Sequence, residues 1–145
     1  DRVQYYETIC SGAPAGPGFS GVDAVHTHMT NSRLTDPEIL EYRFPVLLED
    51  FHIRKGTGGK GRWSAGSGTE RTIRFLDEMD CAILSSHRKV HPHGLEGGGP
   101  GRLGETRVRR KDGSIEILEG CDQKKMSPGD AIIVTTPTGG GYGKA

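Results

Sequence analysis

Between Val25 and Glu38 the chain carries two histidines, His26 and His28, the amide Asn31, the hydroxyls of Thr27, Thr30, Ser32 and Thr35, and the carboxylates Asp36 and Glu38. An imidazole can take a proton from water, and an amide, hydroxyl or backbone N–H can donate to a developing oxyanion. A histidine pair can also grip a metal. If this segment is extended, His26 and His28 project to one face, because strand side chains alternate with a period of two. The polar surround can orient the second ring nitrogen of each. These three residues, His26, His28 and Asn31, are the candidate catalytic groups.

The elements that must position them begin at Thr35-Asp36-Pro37-Glu38, which reads as a helix start. Thr35 and Glu38 have capping-box spacing, and a proline is tolerated in the first turn. A helix is predicted from Asp36 to Tyr42, and Pro45 disfavours its continuation through Phe44. Glycine is 23 of 145 residues, well above the roughly 7% of ordinary chains, and it separates short β-branched or alternating runs. The fold expected is mainly β: glycine-rich antiparallel sheets, sandwich or barrel-like, with one or two short helices, in a single domain over residues 1–145. Strands are predicted at 46–54, 69–76, 81–86, 106–110, 114–118 and 131–135. Asp112-Gly113 predicts a hairpin with two positive-φ residues. A second hairpin is predicted between 69–76 and 81–86, and Ser127-Pro128-Gly129-Asp130 predicts a turn into the last strand.

Nineteen basic and nineteen acidic residues balance, so no global field favours nucleic acid or an anionic membrane. The apolar runs are far shorter than a membrane span. The chain opens at Asp1 without a methionine or leader-like segment, which reads as a fragment of a soluble, cytoplasmic protein. Cys10, Cys81 and Cys121 form no Cys-x-x-Cys pair, so neither a disulfide framework nor a thiolate zinc site is expected. They read as reduced thiols, with Cys10 beside a glycine-rich turn the one conceivable nucleophile.

Gly-x-Gly-x-x-Gly occurs three times, at 16–21, 56–61 and 99–104, a frequency that the glycine content alone largely accounts for. A dinucleotide site needs a strand before the motif and a helix after it, and a phosphate loop needs Ser or Thr after Gly-Lys, whereas Gly59-Lys60 precedes Gly61. ATP is therefore not expected to bind here, and the glycines are read as tight turns and close backbone approaches. His87, His91 and His93 can in principle ligate zinc or manganese, but Arg88 and Lys89 beside them oppose a cation, and the cluster reads as a solvated loop. Glu7, alternating with Tyr6, is either a general base or a surface acid, the latter being preferred. Arg107 and Arg109 alternate with Val108 as in an exposed hairpin.

Four segments together carry a resemblance: Tyr5-Tyr6-Glu7-Thr8-Ile9, the Val25–Glu38 run, Gly94–Gly101, and Thr136-Pro137-Thr138-Gly139-Gly140-Gly141-Tyr142-Gly143. In order and spacing they resemble the C-terminal end of the hydantoinase B/5-oxoprolinase family. The resemblance implies ATP-dependent opening of a cyclic amide, 5-oxoproline to glutamate or a hydantoin to its carbamoyl acid. It also implies that ATP and a divalent metal serve the complete enzyme without being bound by this piece alone, the family's better-known metal ligands being expected upstream. A separate hydantoinase A-like region or subunit would handle ATP, and a homo-oligomer is expected. Thr138 stands where the family usually has glycine, and would be strained if that position required positive φ.

On this reading His26 or His28 activates water, while Asn31, Thr30 and backbone N–H groups receive the oxyanion. The isolated chain should not turn over. The alternatives are a structural module that caps the hydrolase region and docks the ATP-binding partner, and a free-standing metal-binding β domain.

Overall fold

The structure, a computed structural model, describes residues 4–27, 30 and 32–145. His28 and Asn31 lie outside the described residues. In chain order the elements are α1 (Pro37–Arg43), β1 (Val46–Arg54), β2 (Gly68–Phe75), β3 (Met79–Leu84), β4 (Glu105–Arg109), β5 (Ile115–Leu118), β6 (Cys121–Met126) and β7 (Ala131–Thr135). Five strands form an antiparallel sheet in the order β1-β2-β7-β4-β5, and β3 pairs with β6 in a second sheet. The mainly β expectation holds, with one short helix among the described residues and two open sheets rather than a closed barrel.

Apolar side chains from both sheets meet in one core. β7 is buried at every position, as its unbroken Ala-Ile-Ile-Val run requires for a strand in the middle of a sheet. Ile132 and Val134 join Val46, Phe75, Val108, Leu118 and Met126 in the core cluster. The opposite face of the five-stranded sheet is polar, because Arg107 and Arg109 alternate with the fully buried Val108. There Glu49 pairs with both Arg74 and Arg109, and Arg107 with Glu70.

β1 changes face partway along. Its pairing with β2 slips between Leu48 and Asp50, leaving Glu49 as the extra residue of a bulge. Before the bulge Val46 and Leu48 share the core-facing register; after it Phe51 and Ile53 do, and Asp50 and His52 fall on the polar face.

Several sequence-based boundaries change. β2 and β3 do not form the predicted hairpin: they belong to different sheets, and Leu76 to Glu78 carries the chain from one to the other. β6 was not predicted, because Cys-Asp-Gln-Lys-Lys-Met has too little apolar content to announce a strand; only Met126 is fully buried. The Asp112-Gly113 hairpin forms, joining β4 and β5, but only Gly113 has positive φ, at 90°. Gly113 N–H donates to Arg110 O at 2.9 Å and Arg110 N–H to Ser114 O at 2.8 Å, a three-residue loop with the glycine as bulge. The turn before β7 forms as predicted, with Asp130 N–H donating to Ser127 O at 3.0 Å.

α1 is too short to be stable alone, and its fully buried Leu40 fixes it to the core. Its cap is Asp36 rather than Thr35: the Asp36 carboxylate accepts from Glu38 N–H at 3.1 Å. Thr35 Oγ1 instead accepts from Tyr5 Oη at 3.0 Å. The helix stops at Phe44, whose φ of −131° and ψ of 147° are the extended values expected before Pro45.

Candidate functional site

Between the two sheets lies a cleft of about 950 Å³, with apolar walls from Phe44, Ile73, Met79 and Ile83 and a polar end formed by Tyr5, Glu7 and Arg71. The alternation of Tyr5-Tyr6-Glu7 sets this up: Tyr5 and Glu7 are turned inward, while Tyr6 is 86% exposed. Tyr5 packs against Phe44 with ring centroids 4.8 Å apart. Glu7 is not the surface acid expected from sequence. Its side chain is 8% exposed and meets the Arg71 guanidinium, 2% exposed, at 2.9 Å. The contact is one of charge more than of aligned hydrogen bonds, since Glu7 Oε1 and Arg71 Nε and Nη2 have no hydrogen-bond partner among the described residues. Arg71 also lies over the Phe51 ring, 5.5 Å from its centroid. Such a pair is stable only while both charges are present.

Burial pushes the Tyr5 phenol above its ordinary pKa, against the Thr35 hydrogen bond that lowers it, so Tyr5 stays a neutral donor. Burial likewise raises the Cys10 thiol, which disfavours the thiolate that a nucleophile needs. Cys10 is held in place through its carbonyl, which accepts from Thr69 Oγ1 at 2.7 Å. Cys81, in the same cleft, is pushed up to about 11 by desolvation. The polar end of the cleft therefore offers a phenol donor and a paired carboxylate, and no activated thiol.

His26 is half-buried in an irregular segment rather than on a strand, and its expected pairing with His28 lies outside the described residues. The segment is laid against the β1–β2 connection: Ala24 N–H donates to Ser67 O at 3.2 Å, and Asp23 accepts from Ser67 N–H at 2.6 Å. Val25 N–H donates to Ser11 O at 3.0 Å. His26 Nε2 is buried with no hydrogen-bond partner among the described residues. Thr30, the hydroxyl expected to receive the oxyanion, donates to Thr27 O at 2.8 Å and is exposed.

The remaining candidates separate. His87, His91 and His93 are exposed and do not converge; His91 Nδ1 lies 2.8 Å from Gly101 O and His87 Nδ1 lies 3.3 Å from Ser86 Oγ. A metal-capable set does occur elsewhere: ligand atoms of Asp50, His52 and Glu70 lie within 4.8 Å of one another. Sequence reasoning missed it, because only the Glu49 bulge puts Asp50 and His52 on the polar face, with His52 directly opposite Glu70. Asp50 and His52 already share a 2.6 Å contact, while Glu70 accepts from Thr135 Oγ1 at 2.9 Å and faces Arg107.

The glycine motifs do not fit a nucleotide. The amides of Gly16, Gly21, Gly59, Gly99, Gly101 and Gly104 all donate to backbone carbonyls within the chain, so they are not free to cradle phosphate. The loops at 56–66, 94–104 and 136–143 are instead stitched together, Gly59 to Gly139 at 2.9 Å and Gly141 to Gly99 at 2.9 Å. The approach is close enough that a Cβ on Gly98 would lie 2.2 Å from Gly141 O. Thr138 is unstrained: positive φ among non-glycine residues falls on Ala24, His87 and Glu96. Its hydroxyl donates to Thr57 O and accepts from Arg102 N–H, both at 2.7 Å.

Comparison with known proteins places these motifs in one family. The Hydantoinase B/oxoprolinase family model matches residues 1–145. The 5-oxoprolinase of Dictyostelium discoideum is 41% identical over 144 residues, covering 99% of this chain and 11% of its own length. The 5-oxoprolinase of Saccharomyces cerevisiae is 46% identical over 147 residues, covering 97% of this chain and again 11% of its own length. Among solved structures, the ATP-dependent caprolactamase of Pseudomonas jessenii superposes with a TM-score of 0.80 at 25% identity, over 92% of this chain and 24% of that one. The chain thus spans about 11% of the length of the 5-oxoprolinases it matches. With a family model that covers all 145 residues, the chain belongs to the Hydantoinase B/oxoprolinase family.

Proposed function

We propose that residues 1–145 form one domain, the C-terminal part of an ATP-dependent enzyme that opens a cyclic amide, 5-oxoproline to glutamate or a hydantoin to its carbamoyl acid. The observation that carries this reading is the family match along the whole chain, and relatives bearing the name 5-oxoprolinase at 41% and 46% identity support the substrate class. ATP would be held by a hydantoinase A-like region or subunit and would supply phosphoryl activation of the amide, and a divalent metal would serve that centre. The residues of this chain then help with water attack. His26 is assigned to activate or orient the water, with His28 and Asn31 beside it in sequence as second base and oxyanion donor. The buried Nε2 of His26, without a partner among the described residues, supports this, since an unpartnered polar atom costs about 1–3 kcal/mol and a water or substrate atom would relieve that cost. The parent enzyme is expected in the cytoplasm as a homo-oligomer; no helix among the described residues is long and apolar enough to cross a membrane.

The open apolar cleft favours a second reading, in which the chain is a scaffold that caps the hydrolase region and docks the ATP-handling partner. Exposed Ile39 and Tyr42 on α1 add to the surface available for that contact. The test of the enzyme reading is coupled measurement of ADP release and ring opening. The full-length protein should cleave ATP in response to 5-oxoproline or a hydantoin, and the 145-residue chain alone should not. Absence of response to any cyclic amide in the full-length protein, or turnover by the isolated chain, would overturn it.

A further inference from the structure

The polar face of the five-stranded sheet holds a second cavity, of about 390 Å³, which the ring-opening reading leaves unused. Arg54, Arg88 and Arg107 line it together with Glu70, Glu105 and Ile117. Arg107 is matched to carboxylates, 3.5 Å from Glu70 and 3.3 Å from Glu105. Arg54 and Arg88 form no ion pair among the described residues. Arg54 donates to Thr136 O at 2.8 Å; Arg88 donates to Ser86 O at 3.0 Å and Thr106 Oγ1 at 3.2 Å. Arg88 Nε is buried with no hydrogen-bond partner among the described residues. Desolvation lowers the pKa of both Arg54 and Arg88, so each guanidinium has lost part of its hydration and would gain from an anion.

Arg88 is also held deliberately in place. It follows His87, whose φ of 52° is uncommon for a residue with a side chain and marks local strain. Its guanidinium rests on Gly104, where a Cβ would lie 2.1 Å from Nη1. The last glycine of the 99–104 motif therefore makes room for an arginine rather than for a nucleotide.

Charge and shape select the ligand class. Three guanidinium groups against two carboxylates leave one net positive charge, which a monoanion neutralises and a phosphate dianion exceeds. Paired N–H donors suit a carboxylate, and Ile117 and Leu103 offer apolar wall for a short hydrocarbon. We propose that this cavity binds the carboxylate of a small organic acid, with Arg88 and Arg54 as its donors. The site stands whether or not the protein opens a ring.

The test is titration of the full-length protein at low ionic strength with butyrate, butyramide and inorganic phosphate, followed by calorimetry or NMR. Butyrate should bind, butyramide should not, and phosphate should bind more weakly than butyrate. Arg88→Gln should weaken butyrate roughly tenfold or more, the loss expected on removing a charge-assisted hydrogen bond. Ile117 is 72% exposed, so Ile117→Glu should leave the fold intact while placing a carboxylate in the cavity; it should abolish butyrate binding even if Arg88→Gln does not fold. No butyrate binding, equal binding of butyramide or phosphate, or butyrate affinity unchanged by Ile117→Glu would overturn the proposal.

Discussion

Glu7 shows how far a single residue's environment can depart from its local sequence. Beside two tyrosines near the start of the chain it looks like a surface acid, and nothing near it in sequence announces a partner. The partner is Arg71 on β2, placed by the register that sets Arg71 opposite Phe51. Because both charges are buried, removing one strands the other. Arg71→Met should cost about 3–5 kcal/mol in urea denaturation, and the double variant Glu7→Leu, Arg71→Met should recover most of it. A double variant as unstable as the single one would mean that packing, not charge, dominates. Thr138 makes the converse point: a departure from the usual glycine costs no strain, because its φ is ordinary and its hydroxyl is satisfied on both sides. The concentration of polar residues from Val25 to Glu38 is plain in the sequence; the surroundings of His26 were not legible, since the segment leading into it is held by the distant Ser67 region.

At the scale of elements, strands with strong β-branched content were legible to within a residue or two, as β1, β2 and β7 illustrate. What failed was pairing. β3 and β6 find each other across the intervening β4 and β5, a long-range contact that no local turn signals. The turn before β7 depends on Asp130, whose carboxylate accepts from Ser127 N–H and Lys111 N–H at 2.9 Å and from Arg110 Nη1 at 2.9 Å. Burial by itself raises the Asp130 pKa, but these hydrogen bonds and the Arg110 charge outweigh it and hold the carboxyl below its ordinary range. A depressed folded pKa stabilises the protein above the unfolded value of about 3.9, and that contribution is lost as pH falls through the folded value. Urea midpoints should therefore drop below about pH 4, and Asp130→Asn should be less stable at neutral pH with a shallower acid limb. An acid limb as steep as that of the unmodified protein would rule out this role. Leu40→Ala should cost about 2–5 kcal/mol and free α1, seen as faster amide exchange in Pro37–Arg43 than in the sheet.

For the molecule as a whole, family and fold class were legible because separated motifs and glycine punctuation report on topology as well as on local structure. That the chain is part of a longer protein was legible too, and it covers about 11% of the 5-oxoprolinases it resembles. The proposed catalytic reading and the scaffold reading part at one residue, His26, whose ring nitrogen is buried without a partner among the described residues. The decisive measurement is ring-opening kinetics of full-length His26→Ala, with assembly followed by sedimentation in the same samples. The expected result is a fall in kcat of about a hundredfold or more, typical of a lost proton-transfer group, with assembly unchanged. Normal kcat in a correctly assembled His26→Ala protein would contradict a catalytic role and leave the chain as scaffold.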